Sequence, residues 1–189
     1  VDFKFTGEIK QQAENQSFLS GALLTGIALI VLILVFQFNS ISKPIIVLAS
    51  IILSFTGVFL GIVIFNLTFS ILMTMLGIIS LTGIIVNNAV VLIDYTQLLF
   101  DRKKIDLNLS KDDIIDKITA LSLIKTAGKA RLKPVLLTAI TTIFGLIPLA
   151  IGLNIDFFSL FANWNANIYI GGDNVVFWGP LAWTVIFGI

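Results

Sequence analysis

The sequence contains no cysteine and no histidine among its 189 residues. Without cysteine there is neither a disulfide framework nor a thiolate metal site. Without histidine the usual catalytic base and a common metal ligand are also missing. Charge is scarce too, because 12% of the residues are charged, where a soluble domain usually has about 25%. These absences argue against an enzyme and against a soluble domain, and we expect no metal and no cofactor.

Apolar residues dominate the composition instead. They make up 57% of the chain, and the mean hydropathy is +1.03. The interval from Pro44 to Ile93 holds 50 residues without a single charge. Because one helix needs about 20 residues to cross the hydrocarbon, this interval must contain two crossings. The sequence therefore predicts an all-α integral membrane protein, a polytopic helix bundle.

Five spans are predicted, at residues 19–38, 44–65, 70–94, 134–152 and 175–189. Pro44 and Pro134 are placed to begin the second and fourth spans. The last span would extend only about 22 Å, less than the ~30 Å hydrocarbon thickness, so we interpret it as incomplete. Before the bundle (18–189), residues 1–7 alternate apolar and polar as in a short strand. With Val1 in place of Met, the chain reads as a fragment of a longer protein.

The loop at 99–133 differs from the rest, because it holds nine of the twelve Lys and Arg residues. Ser110 to Asp113 has capping-box spacing. Ile114, Ile118 and Leu121 follow on one face, which predicts an amphipathic helix in contact with membrane lipids. Interleaved aspartates disfavour nucleic acid as a partner. Ten basic residues fall on one side of the membrane and two on the other, so the positive-inside rule predicts that loop 99–133 is cytoplasmic.

The third span contains two adjacent amides, Asn87 and Asn88. At 100° per residue they share an arc of about 140° with other residues of the span: Gly77, Ser80, Gly83, Asp94 and Tyr95. An unpaired buried amide costs roughly 2–7 kcal/mol, so we expect partners on a neighbouring helix. The small residues would let that helix approach closely. Alternatively, the amides only hold helices together.

Two further spans carry stripes of small or polar residues. The second span carries Ser50, Ser54, Gly57 and Gly61 on one narrow stripe. Gly57 and Gly61 form a G-x-x-x-G pair, which predicts a helix-packing face on that span. The stripe on the fourth span covers an arc of about 120° and comprises Pro134, Thr138, Thr141, Thr142, Gly145, Pro148 and Gly152. Three stripes in one bundle favour a transporter. We expect the partner of the Gly57–Gly61 face to lie outside this chain.

Two segments resemble a known family. Residues 83–95, GIIVNNAVVLIDY, resemble the motif of the fourth helix in a repeat of the resistance–nodulation–division (RND) efflux permeases. Residues 130–138, ARLKPVLLT, followed by GLIPLA at 145–150, are similar to the start of their fifth helix. The resemblance covers nearly the whole chain from about residue 7, in matching order and spacing.

The resemblance implies a proton-driven exporter of drugs or other small molecules in the bacterial inner membrane. Such permeases have two homologous halves with large periplasmic domains, and they work as homotrimers with a periplasmic adaptor and an outer-membrane channel. The first half normally carries paired aspartates where this chain has Asn87 and Asn88. The chain therefore resembles the second half, with residues 1–17 as the end of a periplasmic domain. The remaining half of the same permease would be its first partner.

The resemblance also implies roles for single residues. Asn87 stands where well-known multidrug members have a lysine that pairs with the aspartates, and Asn88 matches a family asparagine. Thr138 matches a threonine of the proton relay, and Arg131 an arginine at the cytoplasmic mouth of the fifth helix. An amide can hydrogen-bond a carboxylate but cannot neutralise it, so coupling through a lysine does not carry over. From the residues alone, Thr138 could instead bond its own helix backbone, and Arg131 could be a positive-inside anchor.

Two other classes of protein remain open. The protein-export subunits of the Sec system share the superfamily fold and a similar fourth-helix motif, but they lack the match to Leu132–Thr138. A non-transporting membrane scaffold or sensor would explain all three stripes by packing. An Asp-Asp pair in the fourth helix of the other half would favour proton-driven efflux over both.

Overall fold

The computed structural model describes residues 7–110, 113–157, 161, 163–164 and 167–189. Within them, five helices have defined ends: α1 (Glu8–Phe38), α2 (Ser42–Ile64), α3 (Ile71–Asp106), α4 (Lys117–Ile151) and α5 (Asp173–Gly188). Two short strands, β1 (Leu153–Asn154) and β2 (Tyr169–Ile170), pair antiparallel before α5. The predicted all-α class is confirmed, and the strand predicted at 1–7 lies outside the described residues apart from Gly7.

Four helices, α1 to α4, are long and apolar enough to cross a membrane, judged by length and composition. Many of their large apolar side chains are exposed, such as Phe36 at 78% and Ile64 at 72%. Apolar surface on this scale needs a cover of lipid or of other apolar helices. The chain is accordingly a multi-pass membrane protein.

Asparagine residues in the left-handed conformation follow three of these helices, and the one after α1 is Asn39 with φ 44°. Asn66 follows α2 with φ 48°, and Asn108 follows α3 with φ 53°. After Asn66, the N–H of Leu67 donates to the carbonyl of Ile62 at 3.1 Å. This is the Schellman arrangement, with asparagine in the position that glycine usually takes. All three helices therefore end at an asparagine that the local sequence supplies.

Helices α3 and α4 continue well beyond the predicted spans. The third span was expected to end near Asp94, but α3 runs to Asp106. The fourth was expected to begin at Pro134, but α4 begins at Lys117 and passes through that proline. At 1.5 Å per residue each helix is more than about 50 Å long, against ~30 Å of hydrocarbon. Much of the predicted loop at 99–133 is thus a helical extension of two membrane spans.

Ser110 and Asp113 are joined by a hydrogen bond but do not cap a helix. The Asp113 carboxylate accepts a hydrogen bond from the Ser110 N–H at 2.7 Å, which is the expected capping-box contact. The helix, however, starts later, where the Asp116 carboxylate accepts from the N–H of Ile118 at 3.2 Å. Ile118 therefore belongs to α4 and not to a separate surface helix beginning at Ser110.

Helix α5 packs against α2, α3 and α4 at once. Its buried residues are mostly small: Gly179, Ala182, Thr184, Val185 and Gly188. Its 16 residues extend about 24 Å, less than the hydrocarbon thickness. The sequence indicated an incomplete span here, and it did not indicate that three other helices pack on it.

The Gly57–Gly61 face of α2 is covered by α5, so the prediction that its partner lies outside this chain is wrong. A Cβ atom at Gly57 would lie 2.7 Å from the carbonyl oxygen of Phe187, and one at Gly61 would overlap the Phe187 ring. That ring also stacks on Phe65, with 5.1 Å between the ring centroids. The two glycines are what allow Phe187 to lie against α2.

Three helices share a small core at this crossing. Val58 of α2, Leu81 of α3 and Val185 of α5 are buried together. The Ser54 hydroxyl of α2 also donates a hydrogen bond to the carbonyl of Gly188, which joins α2 to α5. Since lipid tails are as apolar as these side chains, close packing and the hydrogen bond stabilise the contact more than burial does.

Candidate functional site

Asn88 lies half-buried in the middle of α3 and lines a cavity of about 490 Å³. The other walls come from α2 (Ser50, Ser54), α4 (Val135) and the end of α5 (Gly188). The cavity thus forms where four helices meet, and Asn88 is the amide among its lining residues. An amide offers two N–H donors and one acceptor oxygen, so this position can serve a polar partner inside the bundle.

The predicted polar stripe of α3 divides into two faces. Gly77, Asn88 and Tyr95 lie within about 20° of one another, and all three are buried or half-buried. The remaining members lie within an arc of about 60° and are exposed: Ser80, Gly83, Asn87 and Asp94. We call this second set the open face of α3. The two adjacent amides therefore point to different surroundings, Asn88 into the bundle and Asn87 out of it.

The glycines on the two faces differ in the same way. A Cβ at Gly77 would lie 2.8 Å from Cβ of Thr184 on α5, whereas one at Gly83 would meet nothing within 4 Å. Gly77 thus permits close helix packing within this chain, as Gly57 and Gly61 do. The surface above Gly83 is open. A helix that packs closely against Gly83 would therefore come from outside the described part of this chain.

Arg131 of α4 reaches across to α3, where its guanidinium carbon lies 4.5 Å from the centroid of the Tyr95 ring. A cation over an aromatic face at this distance is attracted by the ring quadrupole. The Arg131 Nε atom is buried and has no hydrogen-bond partner within the described chain. Tyr95 follows Asn88 by seven residues, so the contact lies about 10 Å along α3 from the cavity amide.

Thr138 lies on an exposed part of α4. Its hydroxyl donates to the carbonyl of Val135 at 2.8 Å, and its own carbonyl accepts from the Thr142 hydroxyl at 2.8 Å. These bonds are the local backbone contacts that threonine commonly makes in a helix. Over the described residues, no hydrogen bond links Thr138 to Asn87 or Asn88. The structure therefore does not bring the relay candidates together by direct contact.

Ser50 and Ser54 on α2 were not predicted as site residues. They line the Asn88 cavity, and Ser54 also bonds the carbonyl of Gly188. The stripe on α2 contained them beside Gly57 and Gly61, but the stripe signals packing without naming the facing helix.

Among the residues that the structure describes, no group of three or more His, Cys, Asp or Glu could hold a metal ion.

Comparison with known proteins identifies a family that this chain matches. The model of the AcrB/AcrD/AcrF family matches residues 1–154. Swarming motility protein SwrC of Bacillus subtilis (strain 168) is 34% identical over 140 residues, which cover 74% of this chain and 12% of that protein. No solved structure gives a significant match.

Two proteins named multidrug resistance protein MdtC are also similar. The protein from Edwardsiella ictaluri (strain 93-146) is 30% identical over 78% of this chain and 13% of its own length. The protein from Citrobacter koseri (strain ATCC BAA-895 / CDC 4225-83 / SGSC4696) is 24% identical over 187 residues, 99% of this chain and 15% of its own. The chain thus spans less than one sixth of the length of these curated relatives. The family match over residues 1–154, together with the helical bundle and the two quoted motifs, shows that the chain belongs to the AcrB/AcrD/AcrF family of RND permeases.

Proposed function

We propose that this chain is part of a proton-driven efflux transporter of the bacterial inner membrane, which exports drugs or other small molecules. The observation that carries the proposal is the open face of α3. It places Asn87 and Asp94 on the exterior of an otherwise apolar membrane helix. A polar group facing lipid is costly, so this face requires a protein partner.

The partner that fits is the other half of the same permease. A helix from that half could approach closely over Gly83, above which this chain leaves open space. On the strength of the family resemblance, we expect paired carboxylates on that helix. Asn87 would then lie opposite them, at the interface between the two halves.

An asparagine suits a carboxylate that gains and loses a proton. Its N–H₂ group donates to the ionised form, and its carbonyl oxygen accepts from the protonated form. A lysine serves only the ionised form, because an ammonium group has no acceptor. We therefore propose that Asn87 supports both states of the carboxylate cycle by reorienting its amide, without changing charge itself.

Asn88, Thr138 and Arg131 are proposed to support the same cycle. Asn88 faces the cavity among α2, α3, α4 and α5, where it can respond to movement of α5. The Thr138 hydroxyl donates to the carbonyl of Val135 in its own helix. The hydroxyl oxygen can therefore still accept a hydrogen bond from a protonated group. Arg131, held over Tyr95, would fix the cytoplasmic ends of α3 and α4 relative to each other.

The wider assembly is proposed from family membership. We place loop 99–133 in the cytoplasm and the β1–β2 end outside, on the strength of the charge distribution. The complete transporter would be a homotrimer that works with a periplasmic adaptor and an outer-membrane channel. The name "multidrug resistance protein" of several relatives supports small-molecule export.

Export by the full-length parent tests the proposal. We expect Asn87→Leu and Asn88→Ala to leave protein levels intact and to reduce proton-coupled dye export strongly. Asp94→Asn is the matched control, because Asp94 lies on the same open face about 10 Å from Asn87 and should tolerate an amide. If the amides serve packing alone, Asn88→Ala should cost about 0.6 kcal/mol and leave export nearly normal. Normal export by both amide variants at matched expression would overturn the proposal.

A further inference from the structure

The first half of α4, residues 117–133, is a helix that extends out of the membrane span. The charge-free part of α4 starts at Pro134 and provides 18 residues up to Ile151, close to the ~20 that the hydrocarbon requires. The half before Pro134 therefore emerges on the side that the basic residues occupy. It remains joined to the span as one helix, so its first residue, Lys117, lies about 25 Å along the helix from Pro134.

This half carries charge of one sign only. It contains four lysines and one arginine, and no acidic residue occurs from Lys117 to Lys133. Lys125, Lys129 and Lys133 follow at four-residue intervals, so they form one row about 12 Å long. All three are exposed, and none forms an ion pair within the described part of the chain.

Exposed aliphatic side chains lie beside the lysine row. Ile118 is 79% exposed, Leu121 is 50% and Leu132 is 56%. On the helical projection they share an arc of about 120° with the three lysines. Ala127, which is fully buried, and Arg131, which contacts Tyr95, lie on the opposite side. The outward side of this half is thus both basic and apolar.

We infer that this outward side binds anionic phospholipids of the leaflet that α4 itself enters. Lysine ammonium groups would contact lipid phosphates, while the aliphatic side chains and the lysine stems lie against the acyl boundary. Lys133 adjoins the apolar span and Lys129 lies about 6 Å further out, within the Debye length of ~10 Å at 0.1 M salt, while Lys125 lies about 12 Å out, just beyond it. Charge complementarity and this proximity both favour lipid over a soluble acidic partner.

Pro134 gives the helix a place to lean toward the surface. Proline has no N–H, so the carbonyl of Ala130 lacks its usual helical hydrogen bond and the helix can bend there. Residues 117–133 can then approach the headgroups while the span stays upright. Lipid contact at this helix does not depend on the transported substrate.

A fluorescent reporter can test lipid binding directly, because the chain has no native cysteine. A polarity-sensitive fluorophore on Leu121→Cys is observed in nanodiscs of phosphatidylcholine alone and in nanodiscs that also contain phosphatidylglycerol. We expect blue-shifted emission in the anionic discs only. The shift should shrink when salt rises from about 0.1 M to about 1 M, since the Debye length falls from ~10 Å to ~3 Å.

Charge-matched variants identify the residues. Lys125→Gln with Lys129→Gln should lower the ratio of lipid-bound to unbound helix on the order of twentyfold, about fivefold for each lysine. Removing two charges elsewhere, by Lys10→Gln with Lys43→Gln, should leave the shift unchanged. Lys125→Arg with Lys129→Arg should retain it, because the charge is kept. Equal emission in both kinds of disc, or a shift that survives the Lys125/Lys129 change, would overturn the inference.

Discussion

The guanidinium group of Arg131 lies over the ring of Tyr95, 4.5 Å from its centroid. The two residues belong to different long helices, α4 and α3, and they meet near the level at which α4 enters its charge-free part. The contact therefore holds together two helices that carry most of the proposed site. It also accounts for part of the inward orientation of an arginine whose Nε is buried without a hydrogen bond.

The cation–π contact should contribute a measurable coupling. We expect Tyr95→Phe to be nearly neutral and Tyr95→Leu to destabilise, because leucine has no quadrupole. A double-mutant cycle with Arg131→Gln, read from the free energy of unfolding in mixed micelles, should give a coupling of about 0.5–2 kcal/mol. If the effects of the two substitutions on the free energy of unfolding are additive, the two side chains are close but contribute no coupling energy.

The glycines of the bundle should differ in their tolerance of a methyl group. Gly77→Ala places Cβ 2.8 Å from Cβ of Thr184, and overpacking of this kind typically costs about 1–3 kcal/mol. Gly83→Ala is the control on the same helix, because its Cβ would meet nothing within 4 Å. In this chain alone it should be neutral or stabilise by up to ~1 kcal/mol through helix propensity. Equal unfolding free energies for the two variants would contradict the packing of α5 on α3.

Two serines of α2 provide a matched pair for the α2–α5 hydrogen bond. Ser54 donates to Gly188 across the interface, whereas Ser50 donates to Ile46 in its own helix at 3.1 Å. Ser54→Ala should therefore lower the unfolding free energy by about 0.6 kcal/mol, the average for such bonds in membranes. Ser50→Ala should have a smaller effect. A larger loss of unfolding free energy for Ser50→Ala than for Ser54→Ala would show that the Ser54–Gly188 bond does not stabilise the bundle.

The orientation in the membrane can be measured by cysteine labelling. With no native cysteine to interfere, Lys104→Cys should react with a membrane-impermeant maleimide only after the cytoplasmic side is opened. Asn163→Cys should react from outside, since ten basic residues favour the opposite side. The reverse pattern would contradict the orientation that we propose.

The sequence predicted the membrane class and a long apolar helix at each of the first four spans, because an apolar run of about 20 residues has few alternatives. It did not predict how far α3 and α4 extend. Residues such as Arg102 and Lys117 are compatible with both helix and loop, and hydropathy measures only the part that suits lipid. Helix ends at Asn66 and Asn108 depend on local turn chemistry, which a span prediction does not resolve.

The candidate site shows a second limit. Periodicity grouped Asn87 with Asn88 in one stripe, yet Asn87 is exposed and Asn88 lines a cavity. Helical spacing gives the direction of each side chain around the axis only to within the width of the stripe. Which residues surround it depends on the helix that packs there. The importance of α5 was missed for the same reason: glycines on α2 and α3 indicate close approach without identifying the approaching helix.

The position of α5 has a consequence for biosynthesis. It follows α2, α3 and α4 in the chain, so the ribosome releases those three helices before the one on which they all pack. They enter the bilayer before α5, with Gly57, Gly61 and Gly77 still facing lipid or the insertion machinery. Only when Phe187 and Gly188 have emerged can the crossing around Val58 and Leu81 close. Assembly of this bundle is thus a step that follows insertion, in the order that the two-stage description of membrane proteins gives.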